Sequence, residues 1–236
     1  MKSLFLFLFA MQAAAYEPEL RTDRYLMENP FTDHVQHFAK LFNCTKVRSF
    51  LEFGLGEGTK FFLDHCDEVF SIDIVPENNR EVKKVNSDWF LQCLDIYQSY
   101  SNWRARLYFC TDACSQADEI SNSMKDPALT HPFYLVELKI LCDTWIDQRY
   151  DVIFVDAGTV LRADLVNELF DRADIIAAHD YWEVEEGQYG GVYGWGKIKA
   201  PAHYVKIFFK EGCGTVFWVH RDRQDVITAL LTGDGR

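Results

Sequence analysis

The chain has 236 residues, of which 48% are hydrophobic and 15% aromatic, and its formal net charge is −12. This length and apolar content predict one well-packed domain of ordinary size. The acidic balance argues against broad affinity for nucleic acid or for an anionic membrane, because both need a basic face, and we expect no nucleic-acid partner.

The N-terminus has the pattern of an export signal. Lys2 gives a positive start, residues 4–11 form a short apolar core, and residues 13–15 are alanines that suit a cleavage site. The apolar core is too short to cross a bilayer. We therefore predict a signal peptide at residues 1–15 and an exported protein, periplasmic or secreted, without a stable membrane span after cleavage. If this segment is instead a short N-terminal helix, the expected location is cytoplasmic.

Residues 16–46 are predicted to form a helical extension, since apolar side chains recur at helical spacing between positions 30 and 45, with Thr32 or Asp33 as its cap. Residues 47–236 are predicted to form the main domain. Apolar runs alternate there with helical patterns, which favours a parallel sheet covered by helices. The predicted strands are Ser49–Phe53, Val69–Ile74, Arg106–Cys110, Asp151–Val155, Asp174–Ala178, Tyr204–Phe209 and Thr215–His220. The predicted helices between them are Thr59–His65, 79–100, 115–148 with breaks at its prolines, and Arg162–Phe170.

Three glycines at every second position follow the first strand, where residues 52–58 read Glu-Phe-Gly-Leu-Gly-Glu-Gly. A second apolar run ends in Asp73, fifteen residues after Gly58. A strand that stops at a glycine turn leaves room for a ligand, and an acid at the tip of the next strand can accept hydrogen bonds from a ribose diol. The third glycine comes one residue too early for the dinucleotide fingerprint, which argues against a nicotinamide-dependent oxidoreductase.

The acid-x-Gly-x-Gly-x-Gly run resembles motif I of the class I S-adenosylmethionine-dependent methyltransferases. The element order resembles that family too, so the likeness covers about residues 47–220. It implies an α/β fold with a doubly wound, seven-stranded, mostly parallel sheet that ends in an antiparallel hairpin. It also implies S-adenosylmethionine as the cofactor. By this resemblance, four residues would form the turn beneath the cofactor's amino-acid end: Glu52, Gly54, Gly56 and Gly58. Asp73 would bind the ribose hydroxyls, and Asp112 matches an acid near the adenine.

Further polar residues follow the fourth and fifth predicted strands. Asp156 comes after one strand, and the pair His179 and Asp180 comes after the other. In a parallel sheet these side chains should converge on the rim that carries the glycine turn. Clustered carboxylates suit Mg²⁺. The pattern resembles the metal-dependent O-methyltransferases of sugars and other small molecules, in which the metal lowers the pKa of the acceptor hydroxyl. That resemblance implies Asp156 and Asp180 as metal ligands; contacts to substrate or cofactor without a metal, and structural caps, are the alternatives.

The general base is not evident from the sequence. Many such enzymes place an acid or a histidine directly after the fourth-strand acid, where this chain has Ala157 and Gly158. His179 is the candidate base, and His203 or a metal-bound hydroxide are the alternatives. We therefore expect a methyltransferase that acts on an oxygen of a small hydroxylated molecule, with Mg²⁺ as an optional aid. The alternative is an exported, non-catalytic binding module with the same fold.

Overall fold

The computed structural model describes residues 20–77, 80–110, 132–157, 162–184 and 193–232. The strands in these ranges are β1 Ser49–Phe53, β2 Glu68–Pro76, β3 Trp103–Cys110, β4 Tyr150–Val155, β5 Ala173–His179, β6 Tyr204–Phe209 and β7 Thr215–His220. The α-helices are α1 Asp23–Glu28, α2 His34–Cys44, α3 Thr59–His65, α4 Arg80–Tyr97, α5 Pro132–Trp145, α6 Arg162–Leu169 and α7 Gln224–Thr232. Within these ranges, no helix combines the length and apolarity that a bilayer crossing requires.

The strands form one seven-stranded sheet in the order β3-β2-β1-β4-β5-β7-β6. The pairs from β3 through β5 are parallel, while β7 runs antiparallel to both β5 and β6. The order reverses direction between β1 and β4, which are neighbours in the sheet but not in the chain. The predicted fold class is therefore confirmed: a mostly parallel α/β sheet that closes with an antiparallel C-terminal pair.

Helices cover both faces of this sheet, which explains why its central strands are apolar throughout. One core cluster joins residues of α5 and α6 to Leu51 and Phe53 of β1. The other cluster joins α2, α3, α4 and α7 to Phe50 of β1 and Phe154 of β4. Adjacent residues of β1 thus point into different cores, as the alternation of side chains along a strand requires.

The N-terminal helices belong to the second core cluster. Leu26 of α1 and Phe38 of α2 are both fully buried. The Phe38 ring lies 4.9 Å from that of Phe62 in α3 and 5.0 Å from that of Phe154 in β4, both in edge-to-face geometry. Such aromatic pairs favour edge-to-face contact because the positive ring edge meets a negative ring face. The extension therefore packs directly onto the face of the sheet near the glycine turn.

The bounds of β2 differ from those predicted. The strand continues to Pro76, so Asp73 does not end it; Asp73 is paired with Leu107 of β3. On the other side, however, pairing with β1 stops at Ile72. Asp73 is thus the first β2 residue beyond the tip of β1, and its position at the rim arises because β1 is shorter. Helix α7 was not predicted.

Candidate functional site

The three glycines after β1 differ in whether the surrounding structure requires glycine at their positions. Gly54 has a φ of +92°, and a Cβ there would lie 2.6 Å from the Asp156 carbonyl oxygen. A Cβ on Gly58 would lie 2.8 Å from His34 Nε2. A Cβ on Gly56 would meet only Trp89 Cζ2, at an ordinary contact distance of 3.6 Å. Packing among the described residues therefore requires glycine at positions 54 and 58 but not at 56. A ligand that approaches the backbone closely is a reason for glycine at that position.

Glu52 stabilises the glycine turn. Its carboxylate is buried and its Oε1 accepts hydrogen bonds from Thr59 Oγ1 at 2.8 Å and from Ser71 Oγ at 2.5 Å. Thr59 Oγ1 in turn accepts a bond from the Gly56 amide at 3.0 Å. Burial raises the pKa of Glu52 to about 8, although the two hydroxyl groups act to lower it. The acid of the motif thus shapes the turn through the hydroxyl of Thr59.

Helix α4 fixes the outer side of the same turn. Trp89 Nε1 donates to the Leu55 carbonyl at 2.9 Å, and the Tyr97 hydroxyl donates to the Gly56 carbonyl at 2.7 Å. The hydrogen bonds of both side chains to the turn were not predicted from the sequence. No motif marks such a contact, because the acceptors are backbone carbonyls thirty or more positions away in the chain.

Asp73 is a buried carboxyl with spare acceptor capacity. It is 9% exposed, and among the described residues its Oδ1 accepts one hydrogen bond, from the Ile74 amide at 3.1 Å. Burial raises the pKa of Asp73 to about 7, and the Ile74 amide opposes this only in part. A buried carboxylate is costly unless donors satisfy it. A ligand with two adjacent hydroxyl groups would supply such donors.

The acids after β4 and β5 converge on an arginine that sequence reasoning did not single out. Arg162 begins α6 and is 3% exposed. Its Nη1 lies 2.8 Å from Asp156 Oδ1 and 3.1 Å from Asp180 Oδ2. Its other contacts include the carbonyl of His179, to which Nη1 donates at 2.8 Å, and the ring of Tyr193, which lies 4.0 Å from the guanidinium carbon. The guanidinium therefore sits at the point where the two carboxylates meet.

This arrangement does not fit Mg²⁺ between Asp156 and Asp180. Mg²⁺ requires an octahedral shell of oxygen atoms at short distances. Here the position between the two carboxylates is already taken by a permanently charged guanidinium, which contacts one oxygen of each. The magnesium assignment of these two residues stays a prediction that the geometry does not favour.

His179 is held between two carboxylates. Its Nε2 donates to Asp33 Oδ1 at 2.7 Å, and its Nδ1 lies 3.5 Å from Asp156 Oδ2. Burial alone would lower the pKa of His179, but Asp156 and Asp33 raise it to about 10. The imidazolium that this favours at neutral pH has no lone pair with which to accept a proton. The role of His179 as general base stays a prediction. This geometry does not support it unless the ring first loses a proton.

Two neighbours of His179 come from the N-terminal extension. Asp33 occupies the N-cap position of α2, as predicted, but its side chain makes no capping hydrogen bond. Instead its Oδ2 accepts from the Cys213 amide at 2.7 Å while Oδ1 meets His179. His34 lies beside it, with its ring 4.6 Å from the ring of His179. These contacts span more than 140 positions of sequence, so no local pattern could reveal them.

The remaining candidates are not clustered with these groups. His203 lies 2.8 Å from Asp171 Oδ1 at the start of β6, and its side chain is exposed. Asp112 and Gly158 lie outside the described residues. A surface groove of about 520 Å³ lies at the amino ends of β1 and β4, the sheet edge opposite the clustered acids. Its lining residues are Thr45, Lys46, Arg48, Ser49, Asp151 and Arg223.

No protein-family model matches the chain, and no curated protein matches it. Among solved structures, an O-methyltransferase from Bacillus cereus in complex with SAH has 14% identity and a TM-score of 0.49, over 92% of this chain and 90% of that one. A SAH-bound methyltransferase from Podospora anserina has 12% identity and a TM-score of 0.43, over 93% and 97%. An rRNA methylase from Streptococcus thermophilus has 11% identity and a TM-score of 0.44, over 82% and 98%. Similarities of this size assign no activity to this chain.

Proposed function

We propose that this protein is an S-adenosylmethionine-dependent methyltransferase that methylates an oxygen of a small hydroxylated molecule. The observation that carries the proposal is that Gly56 and Asp73 both lie at the rim of the sheet where the parallel strands end. Packing leaves the glycine at 56 unexplained, and Asp73 is a buried carboxyl with one hydrogen bond among the described residues. A nucleoside ligand accounts for both features, because it lies close to the backbone of the turn and its two ribose hydroxyl groups need hydrogen-bond acceptors.

The residues that this chain supplies fit such a cofactor. S-adenosylmethionine supplies a methyl group that is already activated on a sulfonium ion. Asp73 accepts hydrogen bonds from the ribose hydroxyls and gains the donors that its burial otherwise denies it. Gly56 permits close approach, and Glu52 keeps the turn in shape through Thr59. The chain's task is therefore to bind, align and exclude water, since in-line transfer needs little more.

The state of His179 bears on the acceptor. An imidazolium between Asp33 and Asp156 accepts no proton, and both Asp156 and Asp180 are ion-paired with Arg162. An acceptor hydroxyl that loses its proton readily, such as a phenol, needs the least help from the protein. We therefore propose acidic hydroxyl groups as the acceptor class. The proposed transfer does not use Mg²⁺, because Asp156 and Asp180 are paired with Arg162 and do not fit the ion.

A transfer assay tests this function. The purified chain is incubated with methyl-labelled S-adenosylmethionine and panels of phenols, catechols and aliphatic alcohols, and label is measured in the small-molecule fraction. We expect label in phenolic acceptors and none in a reaction with the variant Asp73→Ala. If S-adenosylmethionine binds but no panel member accepts label, the non-catalytic binding module is the better account. The observation that favours this second candidate is the position of His179 between two carboxylates, where its protonated ring accepts no proton.

We also propose that the protein is exported. The support is the sequence pattern of residues 1–15, which lie outside the described residues. Sequencing the N-terminus of protein recovered from its native host checks this: a mature chain that begins near Tyr16 is expected, and an intact Met1 would contradict export through this signal.

A further inference from the structure

His179 and two other potential metal-binding side chains lie close together and come from separate elements. One ligand atom each of His34, Asp156 and His179 lies within 4.8 Å of the other two. His34 begins α2, Asp156 follows β4 and His179 ends β5. We propose that these three residues bind a divalent transition-metal ion of the zinc class, at a site that shares Asp156 with the predicted magnesium pair but replaces Asp180 with two histidines.

The first support is an unsatisfied buried nitrogen. His34 is 3% exposed, and its Nδ1 has no hydrogen-bond partner among the described residues. A buried polar atom without a partner is costly and calls for a missing ligand, ion or water. Neutral imidazole is a common ligand of zinc.

The second support is the distance between the potential ligand atoms. In a tetrahedral zinc site with ligands at 2.0–2.1 Å, neighbouring ligand atoms lie about 3.3 Å apart. His179 Nδ1 and Asp156 Oδ2 are 3.5 Å apart, which matches that edge. The third ligand atom, on His34, lies within 4.8 Å of the other two and needs to move inward by about 1.7 Å or less to complete the face.

The third support is the set of outer contacts. A metal-binding histidine usually donates its second ring N–H to a carboxylate, and this fixes its tautomer. His179 Nε2 makes this contact with Asp33 Oδ1 at 2.7 Å. Asp156 Oδ1 is held by Arg162 at 2.8 Å, which leaves Oδ2 facing His179. Both ligands are thus oriented by partners on their far sides, as in sites built to bind a metal.

Charge favours a divalent ion as well. Three carboxylates, of Asp33, Asp156 and Asp180, meet the single positive charge of Arg162 and the ring of His179. With His179 protonated, the cluster keeps one net negative charge. With a divalent ion and a neutral His179, the charges cancel. Burying a cluster without residual charge costs less, because an unpaired buried charge is expensive.

Metal titration of the full chain tests this proposal without cofactor. Protein freed of metal with a chelator is titrated with Zn²⁺ against a competing chromophoric chelator. We expect one ion per chain, and affinity at least about 100-fold weaker in His34→Gln, since even outer-shell changes cost about 10–100-fold. The matched control is His37→Gln, because His37 is equally buried on the same helix but lies outside the cluster. It should bind like wild type.

X-ray absorption of the zinc-loaded wild type provides a readout that needs no variant. Two imidazole ligands and an oxygen are expected. A sulfur ligand would instead assign the ion to Asp33, His179 and Cys213, the other potential metal-binding group, and would contradict the site. The proposal would also be overturned if wild type bound no stoichiometric zinc, or if a folded His34→Gln variant bound it with equal affinity. Protonated His179 would then be the group that links Asp33 and Asp156.

Discussion

At the scale of single residues, Asp73 links the fold to the proposed cofactor. Replacing it with Asn keeps the size and the acceptor for the Ile74 amide but removes the charge. Hydrogen bonds to a charged group contribute about 1.5–3 kcal/mol, so Asp73→Asn should weaken S-adenosylmethionine binding by about tenfold to a hundredfold. Isothermal titration measures this. The control is Asp67→Asn, an exposed acid paired with Lys46, whose replacement should not change the affinity.

Glu52 gives a pH dependence of opposite sign to that of ordinary acid denaturation. Burial raises its pKa from 4.5 to about 8, so the folded state holds a proton that the unfolded state releases. The stability that this proton contributes is complete below about pH 4.5 and is lost as the pH rises toward 8.

We therefore expect Glu52→Gln to lose less stability than wild type between pH 5 and 8, by up to a few kcal/mol. Thermal unfolding across this range measures the difference, with the exposed Glu77→Gln as control. Parallel pH profiles for wild type and Glu52→Gln would show that the carboxyl is charged in the folded protein at all these pH values.

At the scale of elements, the turn between β1 and α3 separates folding from binding. Gly54→Ala forces a side chain into a φ of +92° and against the Asp156 carbonyl, so it should destabilise the fold by about 2 kcal/mol or more. Gly56→Ala meets only Trp89, at 3.6 Å, and should fold normally while binding S-adenosylmethionine more weakly.

Thermal unfolding and titration of these two variants side by side measure the separation. A Gly56→Ala variant that binds like wild type would remove the argument that this glycine serves a ligand. A Gly54→Ala variant of full stability would mean that the close contact with the residues after β4 is not as described.

The elements themselves were largely predictable from the sequence. The bounds of β1, α3, β6 and β7 agree with the prediction, because apolar runs there end at glycine or polar residues. The position of Asp73 was predicted less well, since strand pairing with β3 carries β2 three residues beyond Asp73, to Pro76. The contacts of Asp33 and His34 with His179 were not predictable, because they join distant parts of the chain. The contacts of Arg162 with Asp156 and Asp180 were not predictable either, because they depend on how the segments after β4 and β5 pack together.

At the scale of the whole molecule, the N-terminal extension completes the rim of the sheet. Phe38 anchors α2 in the core, and this positions Asp33 and His34 against β5 and the glycine turn. The rim thus combines the proposed nucleoside-binding side, at Gly56 and Asp73, with a charged side around Arg162. The first is the basis of the proposed activity, and the second is the basis of the proposed metal site.

The most direct test of the central claim is a calorimetric titration of the full chain with S-adenosylmethionine, without metal or acceptor. One cofactor per chain is expected, with weaker binding in Asp73→Asn and Gly56→Ala and unchanged binding in Asp67→Asn. Absence of binding by the folded wild-type protein, or binding that is indifferent to both rim variants, would contradict the cofactor site at the glycine turn.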